Sequence, residues 1–337
     1  MAWKLGDTMP TLKFNHSILE YLHKINGTKY DSKDWEKRMP SIGCVVEEND
    51  EEEIEIEIFP DRTDLLSHET ISRAARAFLN GLNNSPDLKI EQGGITLEVD
   101  ESLENIRPVI LGAVVRGVDN GTNHSEKDDF IQSLMDHQEK LHLTLGRKRK
   151  FASIGVHDLS QLSPPFKVIS VDKKYKFIPL AEEKEMSIEN ILKLHPKGKE
   201  YAHLMSEMDE FPVIIDSEDR VLSFPPIING DHTTVNEQTR DFFIDVTGWD
   251  ERACEACLLL ICLSLAERGG VIESIQIENW NQELLTTPRG DSKSHKVPDR
   301  LIRNILGIEL SKNEIADSIK KMGGELVDTR TVTNGPD

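Results

Sequence analysis

Residues 221–250 read VLSFPPIINGDHTTVNEQTRDFFIDVTGWD. The paired Pro225 and Pro226 fix two φ angles and remove two backbone donors, so SFPPIIN is a rigid turn rather than a strand interior. FFIDVTG (242–248) is a strand, on which Asp245 and Thr247 lie two apart and face the same side. With Ser223 and Asn229 they can set a hydroxyl, an amide, a carboxylate and a second hydroxyl around one cleft with an apolar wall. Such a group suits holding a small polar moiety and a water. No His or Cys stands among the four to serve as nucleophile or strong base. On the residues alone, an active site and a polar loop over a core strand stand equally open.

Working outward, FPVIID (211–216) joins this stretch through the polar turn SEDR, and Ser187 opens a short helix, SIENILKLH. Farther upstream, VILGAVVRGV (109–118) reads as a buried strand. Ser125 is placed to cap a helix through Phe130, Ile131, Leu134 and Leu141. That helix runs into Arg147-Lys148-Arg149-Lys150, followed by the strand FASIGVHDL. Downstream, Asp250 caps a helix ended by Gly269 and Gly270, and VIESIQIENW alternates as a strand. Cys254-x-x-Cys257 resembles half a metal site, but Cys257 and Cys262 continue an apolar helical pattern, and a buried core helix is expected. His157-Asp158 invites a His–carboxylate pair. Neighbours on a strand point to opposite faces, however, so the two cannot meet, and a structural role is expected for at least one.

Residues 1–100 form a smaller α+β unit. Ile54, Ile56 and Ile58 alternate with Glu53, Glu55 and Glu57, the period of a half-buried strand. After FPDRTD, Ser67 caps a helix whose stripe is Ile71, Ala74, Ala75, Phe78, Leu79 and Leu82, and SPDLKIEQGGITLEVDESLENIRP reads as a strand pair and linker. From 288 to 337 comes the opening of a small helical or winged domain, with Asp299 capping one helix and Ser311-x-x-Glu314 a capping box for the next. With 106–280 as the larger mixed unit, the fold class is α+β in several domains, not a doubly wound sheet.

The chain has 337 residues, with 60 Asp+Glu against 40 Lys+Arg, a formal charge of −20. A chain this acidic cannot hold nucleic acid through its overall field, so such a partner needs a local basic patch. Arg147 to Lys150 is the one conspicuous patch; on composition a solvated charge run and a phosphate contact are evenly matched. Four cysteines cannot build a disulfide framework, no run of 18 apolar residues exists to cross a membrane, and no secretory signal is visible. A cytoplasmic protein without a membrane partner is expected. GxxxxGK[ST], GxGxxG, HExxH and GxSxG are absent from the sequence.

GRKRKFASIGVHDL (146–159), HPKGKEYAHL (195–204), FPVIID and the whole of 221–250 resemble the β subunit of phenylalanyl-tRNA synthetase, of the archaeal and eukaryotic-cytosolic type. MPTLKF (9–14), FPDRTDLLS (59–67) and TPRGDSKSHKVPDRLIRNILGIELSKNEIADSIKKMGG (287–324) agree with it in order. The resemblance implies an (αβ)₂ enzyme with an α subunit and the phenylalanine tRNA as partners, using ATP and magnesium, neither bound by a site visible in this chain. It implies that 106–280 hydrolyses tyrosine wrongly attached to that tRNA. Ser223, Asn229, Asp245 and Thr247 then match the polar lining of the editing pocket. Ile214 is a wall near the aromatic ring, Pro225 and Pro226 are pocket residues, and Arg147, Lys148, Arg149 and Lys150 contact tRNA. The competing expectation is a non-catalytic tRNA- or subunit-binding scaffold with an idle pocket. The family's β subunit continues past the third domain, so a fragment or a short product is expected.

Overall fold

The structure, a computed structural model, describes residues 11–81 and 88–329. Met9 and Pro10 of the amino-terminal stretch, Leu82 of the helical stripe, Ser85 to Asp87 of the expected strand pair and the tail from 330 lie outside those residues. The described residues form two compact units: one of 11–59, 71–81, 88 and 290–329, the other of 60–70 and 89–289.

In the first, β1 (Thr11–Asn15), β2 (Cys44–Asn49) and β3 (Glu53–Ile58) form an antiparallel sheet ordered β1-β3-β2. On β3 the isoleucines are buried and the glutamates half-buried, as the alternation requires. Helices α1 (His16–Ile25) and α2 (Ser32–Arg38) accompany the sheet, and the buried Trp35 meets Tyr30 edge-on. Helix α3 (His68–Asn80) starts where Ser67 Oγ accepts the Thr70 N–H.

The second unit contains β4 (Glu91–Val99), β5 (Val109–Arg116), α4 (His124–Leu143), β6 (Ala152–Asp158), β7 (Phe166–Val171), β8 (Lys176–Phe177) and β9 (Met186–Ser187). After α5 (Ile188–Leu194) and α6 (Pro196–Tyr201) come β10 (Phe211–Ile215), β11 (Val221–Phe224), β12 (Ile228–Asn229) and β13 (Phe242–Gly248). Helix α7 (Glu251–Ala266), β14 (Val271–Glu278) and β15 (Leu284–Thr287) complete it. One ten-stranded sheet runs β12-β11-β10-β7-β4-β14-β5-β13-β6, with β15 on β14. β4 is parallel to both β14 and β7, and the other pairs are antiparallel. The expected strand pair after residue 85 is therefore one strand, β4, inserted into this sheet.

The two ends of the order return towards each other. Asn229 Nδ2, on β12, donates to the Val156 carbonyl of β6 at 3.4 Å, so the sheet is nearly closed. Phe166, Phe243, Leu222, Ile214 and Ile275 fill its interior, each large side chain worth about 1.5–3 kcal/mol when fully buried. A second cluster joins Phe211, Val213 and Phe224 to Ile188, Ile191 and Tyr201 of α5 and α6. Helix α7 packs across β5, β13 and β6 and carries Cys254, Cys257 and Cys262 buried. Burial pushes the Cys254 thiol up to about 12, which keeps it protonated and inert.

Ser187 and Asp250 cap α5 and α7 as expected. The cap of α4 is Asn123, not Ser125: the Asn123 side chain accepts the Glu126 N–H and Glu126 answers in a capping box. In the 290–337 segment, α8 (Asp299–Leu306) follows Pro298, so Asp299 is its first residue rather than its cap, and α9 (Lys312–Lys321) has the Ser311/Glu314 box.

Candidate functional site

The gap between the two sheet ends is a recess of about 390 Å³, large enough for a small ligand. β6 and β13 make one side, the β11–β12 turn another, and α4 closes a third. Register decides which side chains enter. Opposite Asp245 on β13 stands Gly155 of β6; opposite Phe243 stands His157; opposite Thr247 stands Ser153. Paired residues share a face, so these six lie on one face of the sheet, and of them Ser153, Gly155 and Asp245 line the recess.

Asp245 lines the recess, and its Oδ2 lies 2.6 Å from His157 Nε2 in a pair that is almost wholly buried. A Cβ on Gly155 would overlap both the Asp245 carboxylate and the His157 ring, so only glycine there lets the diagonal pair meet. The other ring nitrogen, Nδ1, is 2.9 Å from Thr233 Oγ1, which donates to the Gly230 carbonyl at 3.0 Å. Across the recess Ser223 is 3% exposed, and its Oγ has no hydrogen-bond partner among the described residues. A buried hydroxyl left unsatisfied costs on the order of 1–3 kcal/mol, so one facing a recess is a place for a polar ligand atom. Asn229 lines the same recess beside Pro225 and Pro226, whose peptide is cis. Ile154, Val156, Ile227 and Ile228 add apolar wall.

Thr247 and Ile214, expected at the pocket, do not line it. The Thr247 hydroxyl accepts from Arg107 Nε at 2.7 Å and meets Ser153 Oγ at 3.1 Å, one layer behind the wall. Ile214 pairs with Ser223 across β10–β11 but packs into the core. Arg107 is fully buried, and burial lowers it to about 10, above neutral pH, so it remains a cation behind the wall.

The basic run divides. Arg147, Lys148 and Arg149 are three consecutive residues at positive φ (48°, 55° and 65°), a left-handed turn costing roughly 1–2 kcal/mol per residue. It leaves Arg147, Lys148 and Lys150 exposed and carries Arg149 inward. Arg149 Nη1 donates to the Pro226 and Ile227 carbonyls at 3.2 and 3.0 Å, and Nη2 to Glu139 at 2.5 Å. The guanidinium lies 4.4 Å over the Tyr201 ring. Arg149 is thus a clamp on the proline turn, and its Nε is buried with no hydrogen-bond partner among the described residues. Burial pushes Glu139 up, but the hydrogen bond from His142 and the Arg149 charge outweigh it and hold the carboxyl below its ordinary range.

Asp158 accepts from Ser160 and from Thr239 at 2.9 Å, a structural role. His157, Arg107, Ser153 and Thr233 are the residues that sequence reasoning missed. The available signal was the parity of Ser153, Gly155 and His157, a polar, glycine-interrupted inner face on an otherwise apolar strand. Among the described residues, no group of three or more His, Cys, Asp and Glu side chains is arranged to hold a metal ion. None of the helices among those residues is long and apolar enough to cross a membrane.

A family profile described as the B3/4 domain matches residues 107–257, the stretch that carries the recess. An amino-terminal fragment of the phenylalanyl-tRNA synthetase β subunit from Pyrococcus horikoshii superposes with a TM-score of 0.86 at 32% identity, over 95% of this chain and 91% of that one. The chain belongs to the phenylalanyl-tRNA synthetase β-subunit family. The phenylalanine–tRNA ligase β subunit of Methanosarcina barkeri is 43% identical over 326 residues, 96% of this chain and 58% of the relative. That of Thermococcus onnurineus is 36% identical over 307 residues, 89% of this chain and 52% of the relative. The chain therefore spans little more than half the length of these relatives, and its fold is the mixed α/β architecture of the family's amino-terminal part.

Proposed function

We propose that this chain is part of the β subunit of phenylalanine–tRNA ligase and that its recess hydrolyses tyrosine wrongly joined to the phenylalanine tRNA. In this reading residues 106–280 are the editing domain. The whole ligase works in the cytoplasm as an (αβ)₂ assembly, joining phenylalanine to its tRNA with ATP and magnesium used outside this chain. The observation that carries the reading is the unsatisfied Ser223 hydroxyl facing Asp245 across one apolar-walled recess.

The physical need is clear. An apolar pocket made for phenylalanine rejects one added hydroxyl only about a hundredfold. A second site with buried polar groups does the reverse, since phenylalanine leaves those groups unpaired. Ser223 supplies that polarity, and the prolines and isoleucines hold the ring. Asn229 and Asp245 fix the ester and a water, the terminal ribose hydroxyl assists, and proximity supplies most of the rate. Thr247 acts from behind by holding Ser153 and Arg107. The exposed Arg147, Lys148 and Lys150 contact tRNA phosphates, which makes affinity fall with salt.

The test is single-turnover release of tyrosine from tyrosyl-tRNA for phenylalanine by this chain. The wild-type chain is expected to release it well above background, and Asp245→Asn and Asn229→Ala to slow it by about 10–100-fold. Release by the wild type only at background would leave a binding scaffold as the better reading.

A further inference from the structure

His157 is none of the polar residues that the pocket expectation named, yet it stands 2.6 Å from the recess-lining Asp245 carboxylate. Its ring stands on β6, with the Phe243 ring stacked 6.0 Å away at 28°. Both nitrogens are committed: Nε2 to Asp245 Oδ2 at 2.6 Å and Nδ1 to Thr233 Oγ1 at 2.9 Å. Thr233 is tied in turn to the Gly230 carbonyl, which follows the proline turn. A single rigid chain therefore runs from the turn that bears Asn229, through Thr233 and His157, to Asp245.

Proton positions follow from donor and acceptor capacity. The Gly230 carbonyl can only accept. If the Thr233 hydroxyl gives its one hydrogen there, Nδ1 must carry a proton, and the 2.6 Å contact needs another on Nε2. If the hydroxyl gives its hydrogen to Nδ1 instead, the neutral ring still carries its proton on Nε2. A third arrangement puts the proton on Asp245 and leaves Nε2 bare, which the spectrum described below distinguishes. In the first two arrangements Asp245 is an anion that receives a hydrogen bond at Oδ2. Among the described residues no hydrogen bond falls on its Oδ1, which is left for the recess.

We propose that His157 is the positioning residue of this site, donating from Nε2 to Asp245 and thereby holding it as a carboxylate with Oδ1 turned toward the bound aminoacyl group. The effect on hydrolysis rests on the editing reading above; the proton on Nε2 does not. Gly155 makes the arrangement possible, and Thr233 keeps the ring from turning.

Two measurements on the full chain separate these. In ¹H–¹⁵N correlation spectra of histidine-labelled protein, His157 Nε2 is expected to show a directly bonded proton whose resonance moves in Asp245→Asn. A bare Nε2, or one indifferent to Asp245→Asn, would overturn the proposal whatever the chain hydrolyses. In single-turnover deacylation, His157→Phe keeps a ring over Phe243 and removes both donors. It should lower the limiting rate by about 10–100-fold with the half-saturating concentration unchanged, and His157→Gln should recover part of the loss. Thr233→Val should give a smaller loss and serves if His157→Phe does not fold. Unchanged limiting rates in both His157→Phe and Thr233→Val would also overturn the positioning role. A wild-type chain that releases no tyrosine would defeat the editing reading alone and leave the spectroscopic result standing.

Discussion

Ser223 shows how one atom can separate folding from function. Its hydroxyl is buried without a partner among the described residues, so it costs stability in the free protein and gains a partner only when a polar ligand fills the recess. Ser223→Ala is therefore expected to leave the urea midpoint unchanged or raise stability by up to about 1 kcal/mol, while tyrosine release slows. A clear loss of stability in that variant would mean that the hydroxyl has a partner in the folded chain. The sequence placed Ser223 and Asn229 on the proline turn and Asp245 on the strand after it, and all three line the recess. Arg149 was not legible as a wall residue. A basic run reads as solvated, and only the left-handed turn carries its third member inward to the Pro226 and Ile227 carbonyls.

At the scale of elements, the site is a consequence of β6 lying beside β13 in one register. Asp245 has glycine opposite it on both flanking strands, Gly155 of β6 and Gly112 of β5. Gly155 is the one whose missing side chain leaves room for the His157–Asp245 pair. Gly155→Ala forces a methyl group into that space, and neither the short aspartate nor the stacked ring can retreat far. We expect it to cost about 1–3 kcal/mol of stability by overpacking and to slow tyrosine release as much as Asp245→Asn does. Equilibrium denaturation together with the single-turnover assay checks both; full activity in Gly155→Ala would show that the pair is dispensable. A one-residue slip between these strands would turn Asp245 out of the interior. The alternation on β6 marked an inner face of Ser153, Gly155 and His157, but nothing local said which strand would lie against it. Thr247 fell one layer behind the wall for the same reason. Its parity was right, and its neighbour was the buried Arg107.

For the unit that bears the recess, stability should depend on pH through three histidines, His137 and His142 buried and His68 half-buried. Burial is the leading cause that lowers His68, His137 and His142, each to about 4. Their unfolded value is near 6.5, so below that pH the unfolded chain binds more protons and stability falls as pH drops towards 4. Above about 6.5 the contribution is complete and flat. Each histidine contributes up to about 1.4 kcal/mol per pH unit within that window, and the lowered carboxyls such as Asp216 act only below it. Denaturant midpoints measured from pH 7.5 to 4.5 should hold steady and then fall below about 6.5, and His142→Asn should flatten the fall. A level profile down to pH 4.5 would show that these rings protonate inside the fold.

What the residues alone determined is the local layer: strand periods such as Ile54, Ile56 and Ile58, helix caps at Ser67, Ser187 and Asp250, the buried cysteine helix, and the family signature of 221–250. These depend on neighbours within a turn or two, where composition and spacing act directly. Only the tertiary structure decided that β4 joins the large sheet, that Arg149 faces inward, and that His157 meets Asp245 from 88 residues away. Periodicity encodes which face of a strand is buried, whereas the identity of what lies across from that face is set by long-range pairing and by how the sheet closes.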